Sequence, residues 1–111
     1  SRENRISKDK EFDRVFKTGQ SFYGKVFGLK RAKNDLGLVR FGILINTKVS
    51  KKAVLRNKIR RQIREVLKSI LPELRPGHDI VIIVFPLILD KEFFEIRNLL
   101  IAGLKKLGAF V

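Results

Sequence analysis

Between Lys48 and Lys68 the chain carries nine basic residues and a single acid, Glu65, within a segment whose apolar residues recur at helical spacing. At about 100° per residue, Leu55, Ile59, Ile63, Val66, Leu67 and Ile70 share one stripe. Arg60, Arg61, Arg64 and Lys68 share the stripe beside it, and Asn57 lies on the side of Arg61 and Arg64. This pattern predicts a helix from about Lys52 to Ile70, fixed to a core along one side and presenting guanidinium groups at i and i+4. Guanidinium forks match phosphate oxygens in pairs, and an asparagine can reach a 2′-hydroxyl or a base edge. An ordinary solvated helix face mixes both signs of charge, and this one scarcely does, so contact with nucleic acid is favoured over plain solvation. A membrane-surface helix fits less well, because so short a chain needs the aliphatic stripe for its core.

The rest of the composition agrees. Lys and Arg number 25 against 11 Asp and Glu, a net charge of +14 that a polyanionic partner would relieve. With 111 residues, 44% of them hydrophobic, the chain suits one domain, residues 1–111, with a modest core. The absence of cysteine excludes disulfides and thiolate metal sites. The longest apolar run, Ile80 to Leu89, is broken by Pro86 and is far too short to span a bilayer. The start, Ser1 to Arg5, lacks the apolar stretch of a signal peptide. A soluble, cytoplasmic protein is expected.

Elsewhere the pattern alternates between helix and strand. Ser7 to Thr18 reads as a helix capped by Ser7, with Phe12, Val15 and Phe16 at i, i+3, i+4 and Gly19 as a left-handed stop. Gln20 to Lys33 reads as one bent strand or two short ones, and Asn34 to Gly37 as a turn. Leu38 to Asn46 reads as a strand with Val39, Phe41, Ile43 and Ile45 on one face. After Pro72 and Pro76-Gly77, Asp79 to Phe85 has the short apolar character of a strand buried on both faces. Asp90 is expected to cap a last helix in which Phe93, Ile96, Leu100, Leu104 and Leu107 are periodic, with Phe93 in the core and Gly108 as the stop. The order α-β-β-α-β-α, with room for one more early strand, predicts an α/β (α+β) two-layer sandwich: three helices on a mixed sheet of about four strands.

Few residues suit chemistry. His78, the only histidine, lies in a turn without a His or Cys partner and is expected at the surface, with no metal. Asp79 and Asp90 read as turn and cap residues. The serines lack a nucleophile motif. The acids are scattered, whereas a free-standing metal-dependent nuclease needs converging carboxylates.

Arg56-Asn57-x-x-Arg60-Arg61-x-x-Arg64 resembles the signature helix of the bacterial ribonuclease P protein family. Three further stretches agree in order and spacing. Asn4-Arg5-Ile6 with Glu11-Phe12-x-x-Val15-Phe16-Lys17-x-Gly19 is similar to the family's first helix, Gly42 to Lys52 to the strand and basic loop before the signature helix, and Gly77-His78-Asp79-Ile80-Val81 to its last strand. The resemblance spans nearly the whole chain. It implies a subunit of a ribonucleoprotein that removes the 5′ leader from precursor tRNA, with catalysis and magnesium on the RNA subunit and no catalytic group or cofactor on the protein. The catalytic RNA would face Lys48, Lys51, Lys52, Arg56, Asn57, Lys58, Arg60, Arg61, Arg64 and Lys68. The precursor tRNA leader would meet Phe12, Phe16, Phe27 and Lys30, with no membrane or obligate protein partner. The family fold also implies a left-handed β-α-β crossover, where the sequence alone would favour a right-handed one.

Some positions depart from that family's pattern. Thr47-Lys48 stands where two lysines are common, Lys51 where glycine is frequent, and Lys30 where some relatives carry an aromatic residue. Leader contact at Lys30 would then be electrostatic. Phe12 and Phe16 fit core and leader contact equally, and Tyr23 can pack or stack. The alternative function is a general RNA-binding protein, ribosomal or chaperone-like, with no preference for precursor tRNA.

Overall fold

Hydrophobic periodicity becomes three helices and four strands in the computed structural model, which describes residues 2–111. Helix α1 (Asp9–Thr18) begins after Lys8 and not at Ser7. The Glu11 carboxylate accepts the Lys8 backbone N–H at 3.3 Å, so Lys8 and not the expected Ser7 is the cap residue. Gly19 ends the helix at φ −81°, which is not left-handed. What requires glycine there is crowding: a Cβ would stand 2.5 Å from the Val15 carbonyl oxygen and 2.9 Å from that of Arg31.

Strands β1 (Gln20–Tyr23) and β2 (Phe27–Lys33) are two short antiparallel strands, closed by a Gly24 N–H donating to Phe27 O at 2.8 Å. Strand β3 (Arg40–Leu44) is shorter than the predicted Leu38–Asn46. Val39 and Ile45 stay buried at its ends, but Asn46 turns the chain, its Oδ1 accepting the Lys48 N–H at 2.9 Å. Helix α2 (Ala53–Ile70) then leads to β4 (His78–Val84), and α3 (Phe93–Lys106) closes the chain. The sheet order is β1-β2-β4-β3, with β4 antiparallel to β2 and parallel to β3.

Pairing register and period-2 alternation assign the faces. Phe27, Leu29, Phe41, Ile43, Ile80, Ile82 and Val84 point toward α2 and α3, where Ile59, Ile63, Val66, Leu67, Ile70, Ile96, Leu100 and Leu104 complete the main core. All six residues of the predicted α2 stripe pack here, with Leu55 partly buried. The other face presents Gly28, Lys30, Ala32, Asp79, Val81, Ile83, Arg40, Gly42 and Leu44. Of the three α-helices only α1 lies on it, and with Ile6 of the N-terminal segment it completes a smaller cluster of Ile6, Val15, Ala32 and Val81 with half-buried Phe12, Leu44 and Ile83. Strand β4 is thus covered on both sides, as its apolar run predicts.

The C-terminal third corrects three expectations. Asp90 ends a 3₁₀ turn (Pro86–Asp90), and the cap of α3 is Glu92, whose N–H donates to the Glu95 carboxylate at 3.0 Å. Phe93, as the first residue of α3, faces out and is 37% exposed. His78 is half-buried: Arg31 Nη1 approaches its Nε2 at 3.2 Å, which leaves the proton on Nδ1, a buried atom without a partner. Gly108 does stop α3 in the left-handed region, at φ +76°.

Candidate RNA interface

Two surfaces converge on the free edge of β3. The first is the outer side of α2 and the loop before it. Lys48, Lys51, Lys52, Asn57, Lys58, Arg61, Arg64 and Lys68 are exposed, and Arg56 and Arg60 are half-buried. Arg56 turns back, Nη1 donating to Ser50 O at 2.8 Å, while Ser50 Oγ accepts the Lys52 N–H at 3.1 Å. Together these bonds brace the lysine loop against the first turn of the helix. Arg60 Nη1 donates to Asn57 Oδ1 at 3.3 Å, so the two side chains hold each other. No acid occupies the first turn of α2 and Lys52 offers no side-chain cap, which leaves backbone donors facing outward.

Among the described residues, ion pairs engage only Arg14 and Arg40 on the basic side. None of the nine cations between Lys48 and Lys68 has a carboxylate partner. Desolvation by the neighbouring protein atoms, with the charges of Arg5 and Arg60 beside it, pulls the Arg64 guanidinium below its ordinary pKa. Crowded like charges without a counterion are relieved by an anion.

The second surface is the sheet face under α1. The Phe12 ring lies over Gly42, whose missing side chain makes the space: a Cβ there would overlap the ring. Phe12 also lines a cleft of about 480 Å³ that runs over the β3 edge to Arg5, Arg64 and Lys68. The N-terminal segment forms one wall of this cleft, held by Ile6 N–H to Phe41 O at 2.8 Å and Asn4 Nδ2 to Val39 O at 2.7 Å. Phe16 is 37% exposed, and the Lys30 ammonium sits 5.6 Å from its ring centroid. Phe27 does not join them. It is 4% exposed and points to the opposite face, into the α2–α3 core. A residue beside Gly28 in sequence necessarily faces away from it, so the leader role assigned to Phe27 is corrected to a core role.

Sequence reasoning missed what fixes α1 to this face. Asp79, read as a turn residue, is wholly buried in β4 beneath the helix. It accepts from Arg40 Nε at 2.9 Å and Nη2 at 2.7 Å, from Asn34 Nδ2 at 2.8 Å, and from Arg14 Nη2. Arg40 Nη1 also reaches the Glu11 carboxylate at 2.6 Å, and Arg14 Nη1 the Lys33 carbonyl at 2.6 Å. Burial pushes the Asp79 carboxyl up, but the hydrogen bonds of Arg40 and Asn34 and the charges of Arg40 and Arg14 outweigh it and hold the pKa low. The available signal was a charge heading an otherwise apolar strand, which calls for buried partners.

This architecture recurs in solved proteins. The ribonuclease P protein of Staphylococcus aureus matches with a TM-score of 0.91 at 33% identity, over 97% of this chain and 98% of that one. The ribonuclease P protein of Thermotoga maritima matches with a TM-score of 0.83 at 29% identity, over 92% and 96%. Residues 1–108 fit the family model described as Ribonuclease P. The chain belongs to the ribonuclease P protein family. Among curated relatives, the ribonuclease P protein component of Clostridium botulinum (strain 657 / Type Ba4) is 36% identical over 110 residues, 98% of each chain. That of Microcystis aeruginosa is 39% identical over 87 residues, 75% of this chain and 72% of the relative.

As a ribonuclease P protein it is one component of an endoribonuclease of tRNA processing, and its partner is an RNA subunit. Three helices on an open, mixed four-stranded sheet are the ribonuclease P protein fold, as the sequence pattern led one to expect. No helix among the described residues is long and apolar enough to cross a membrane.

Proposed function

We propose that this ribonuclease P protein binds its RNA subunit through α2 and the preceding loop, and the single-stranded leader of precursor tRNA through the sheet face under α1. The RNA-facing residues are Lys48, Lys51, Lys52, Arg56, Asn57, Lys58, Arg60, Arg61, Arg64 and Lys68. The leader-facing residues are Phe12, Phe16 and Lys30. The observation that carries this reading is the separation of chemistries: nine cations without carboxylate partners on one surface, and aromatic rings with a lysine on the other. Phosphate-rich folded RNA suits the first. Unstacked bases suit the second, because every base has a face that can lie on a ring. The protein contributes binding: it screens repulsion between the two RNAs and positions the leader, while magnesium and the scissile phosphate stay with the RNA subunit.

Cleavage of a precursor tRNA by a bacterial ribonuclease P RNA at low magnesium, with and without this protein, tests the proposal. Strong stimulation that fades as the leader is shortened is expected. Equal cleavage with and without folded protein would remove it.

A further inference from the structure

Tyr23 ends β1 directly opposite Gly28 of β2, on the face that carries α1. It is 57% exposed, so its ring contributes little to the core. A Cβ on Gly28 would stand 2.9 Å from two of its ring carbons. The bare glycine is therefore what allows the ring to settle against the strand. Lys30 lies on the same face, across from Ser21, and its ammonium donates to Ser21 Oγ at 2.8 Å. That ammonium is 5.5 Å from the Tyr23 ring centroid and 5.6 Å from the Phe16 centroid. A single cation thus stands between two partly exposed rings supplied by different elements, β1 and α1. Among the described residues Lys30 has no carboxylate partner, and an ammonium has three donors, of which Ser21 takes one.

We propose that Tyr23 is a further contact for single-stranded RNA, and that Phe16, Lys30 and Tyr23 together receive two successive leader nucleotides with the phosphate between them. The inference rests on the reading of the α1 face as the leader surface, and extends that surface across β2 to the β1 edge. The face repeats ring, ammonium, ring as a single strand repeats base, phosphate, base. Tyr23 supplies a ring on one side of Lys30 and Phe16 a ring on the other. An acidic peptide would match the lysine but leave both rings without a planar partner.

The test uses holoenzyme reconstituted from a bacterial ribonuclease P RNA and this protein, as wild type, Tyr23→Phe, Tyr23→Leu, Tyr23→Ala and Phe16→Ala. Affinity is measured for precursor tRNAs whose leaders are shortened one nucleotide at a time, some carrying 2-aminopurine. Tyr23→Ala and Tyr23→Leu should each lose on the order of fivefold or more in affinity for long leaders. They should lose nothing for leaders too short to reach the β1 edge. Tyr23→Phe should behave as wild type, and 2-aminopurine at one leader position should be quenched by wild type and Tyr23→Phe alone. Comparison of Tyr23→Leu with Tyr23→Phe separates stacking from packing, since both keep apolar bulk. If Phe16→Ala weakens precursor binding while every Tyr23 variant matches wild type at all leader lengths, the Tyr23 contact is overturned and the leader face stands. If Phe16→Ala and Tyr23→Ala are both without effect, the leader face itself is overturned, and this inference with it.

Discussion

Arg40 holds the buried Asp79 carboxylate with two hydrogen bonds, Nε to Oδ1 at 2.9 Å and Nη2 to Oδ2 at 2.7 Å. Arg40 belongs to β3 and Asp79 to β4, but the same cluster takes in Glu11 and Arg14 of α1. The apolar contact beneath α1 is small, so these ion pairs set how the helix sits on the sheet. Asp79→Ala leaves Arg40 without its main counterion inside the protein, with Glu11 as the remaining partner. It should cost about 3 kcal/mol, read as a shift in urea midpoint. An unchanged midpoint would mean that the cluster does not anchor the helix.

Stability should fall on acidification in two steps. Burial, then the Arg31 charge, lowers the His78 pKa, so the unfolded chain binds a proton before the folded one does. This loss begins as pH drops below about 6.5, the unfolded value, and continues toward the lower folded value. Glu11, through its Arg40 hydrogen bond, and Asp79 also have lowered pKa values. Their stabilisation is complete above about pH 5, beyond both unfolded values, and is lost as pH falls through the folded values. Urea midpoints across pH should show both steps, and His78→Gln should abolish the first while leaving the second.

Gly42→Ala places a methyl group where the Phe12 ring lies. Displacing the ring should cost about 1–3 kcal/mol of stability and weaken precursor binding more than binding to the RNA subunit. Equal losses for both ligands would place Phe12 outside the leader surface.

Binding to the RNA subunit should be strongly salt-dependent, with about −0.7 to −0.9 in log K against log salt for each phosphate contact. Arg60→Ala and Arg64→Ala should each weaken it by about 1.5–3 kcal/mol and flatten that slope. A flat salt response in the wild type would contradict an RNA-facing α2.

The legible parts of this protein were those governed by local pattern. The α2 stripe from Leu55 to Ile70 required only a period of 3.6, and β4 only a short apolar run. The basic residues of α2 were legible as a surface because a single acid, Glu65, interrupts them. What stayed hidden depended on long-range pairing. Asp79 sits 65 residues from Arg14 and 39 from Arg40, and no local rule joins them. Phe27 was misplaced because the resemblance supplied a position without a facing, and only the register with Val84 sends its ring into the core. The caps moved from Ser7 to Lys8 and from Asp90 to Glu92 because Glu11 and Glu95 reach back to the backbone. A sequence offers several such acceptors per helix start.

The division of labour between the two surfaces is tested most directly by affinity of the reconstituted holoenzyme for precursor tRNA against mature tRNA. This protein should make the precursor bind distinctly tighter than the mature form, a preference that Phe16→Ala erodes and Arg60→Ala, outside the cleft that Phe12 lines, leaves intact once the holoenzyme is assembled. Equal affinity for the two tRNAs with wild-type protein would contradict a leader surface and leave α2 as the protein's sole RNA contact.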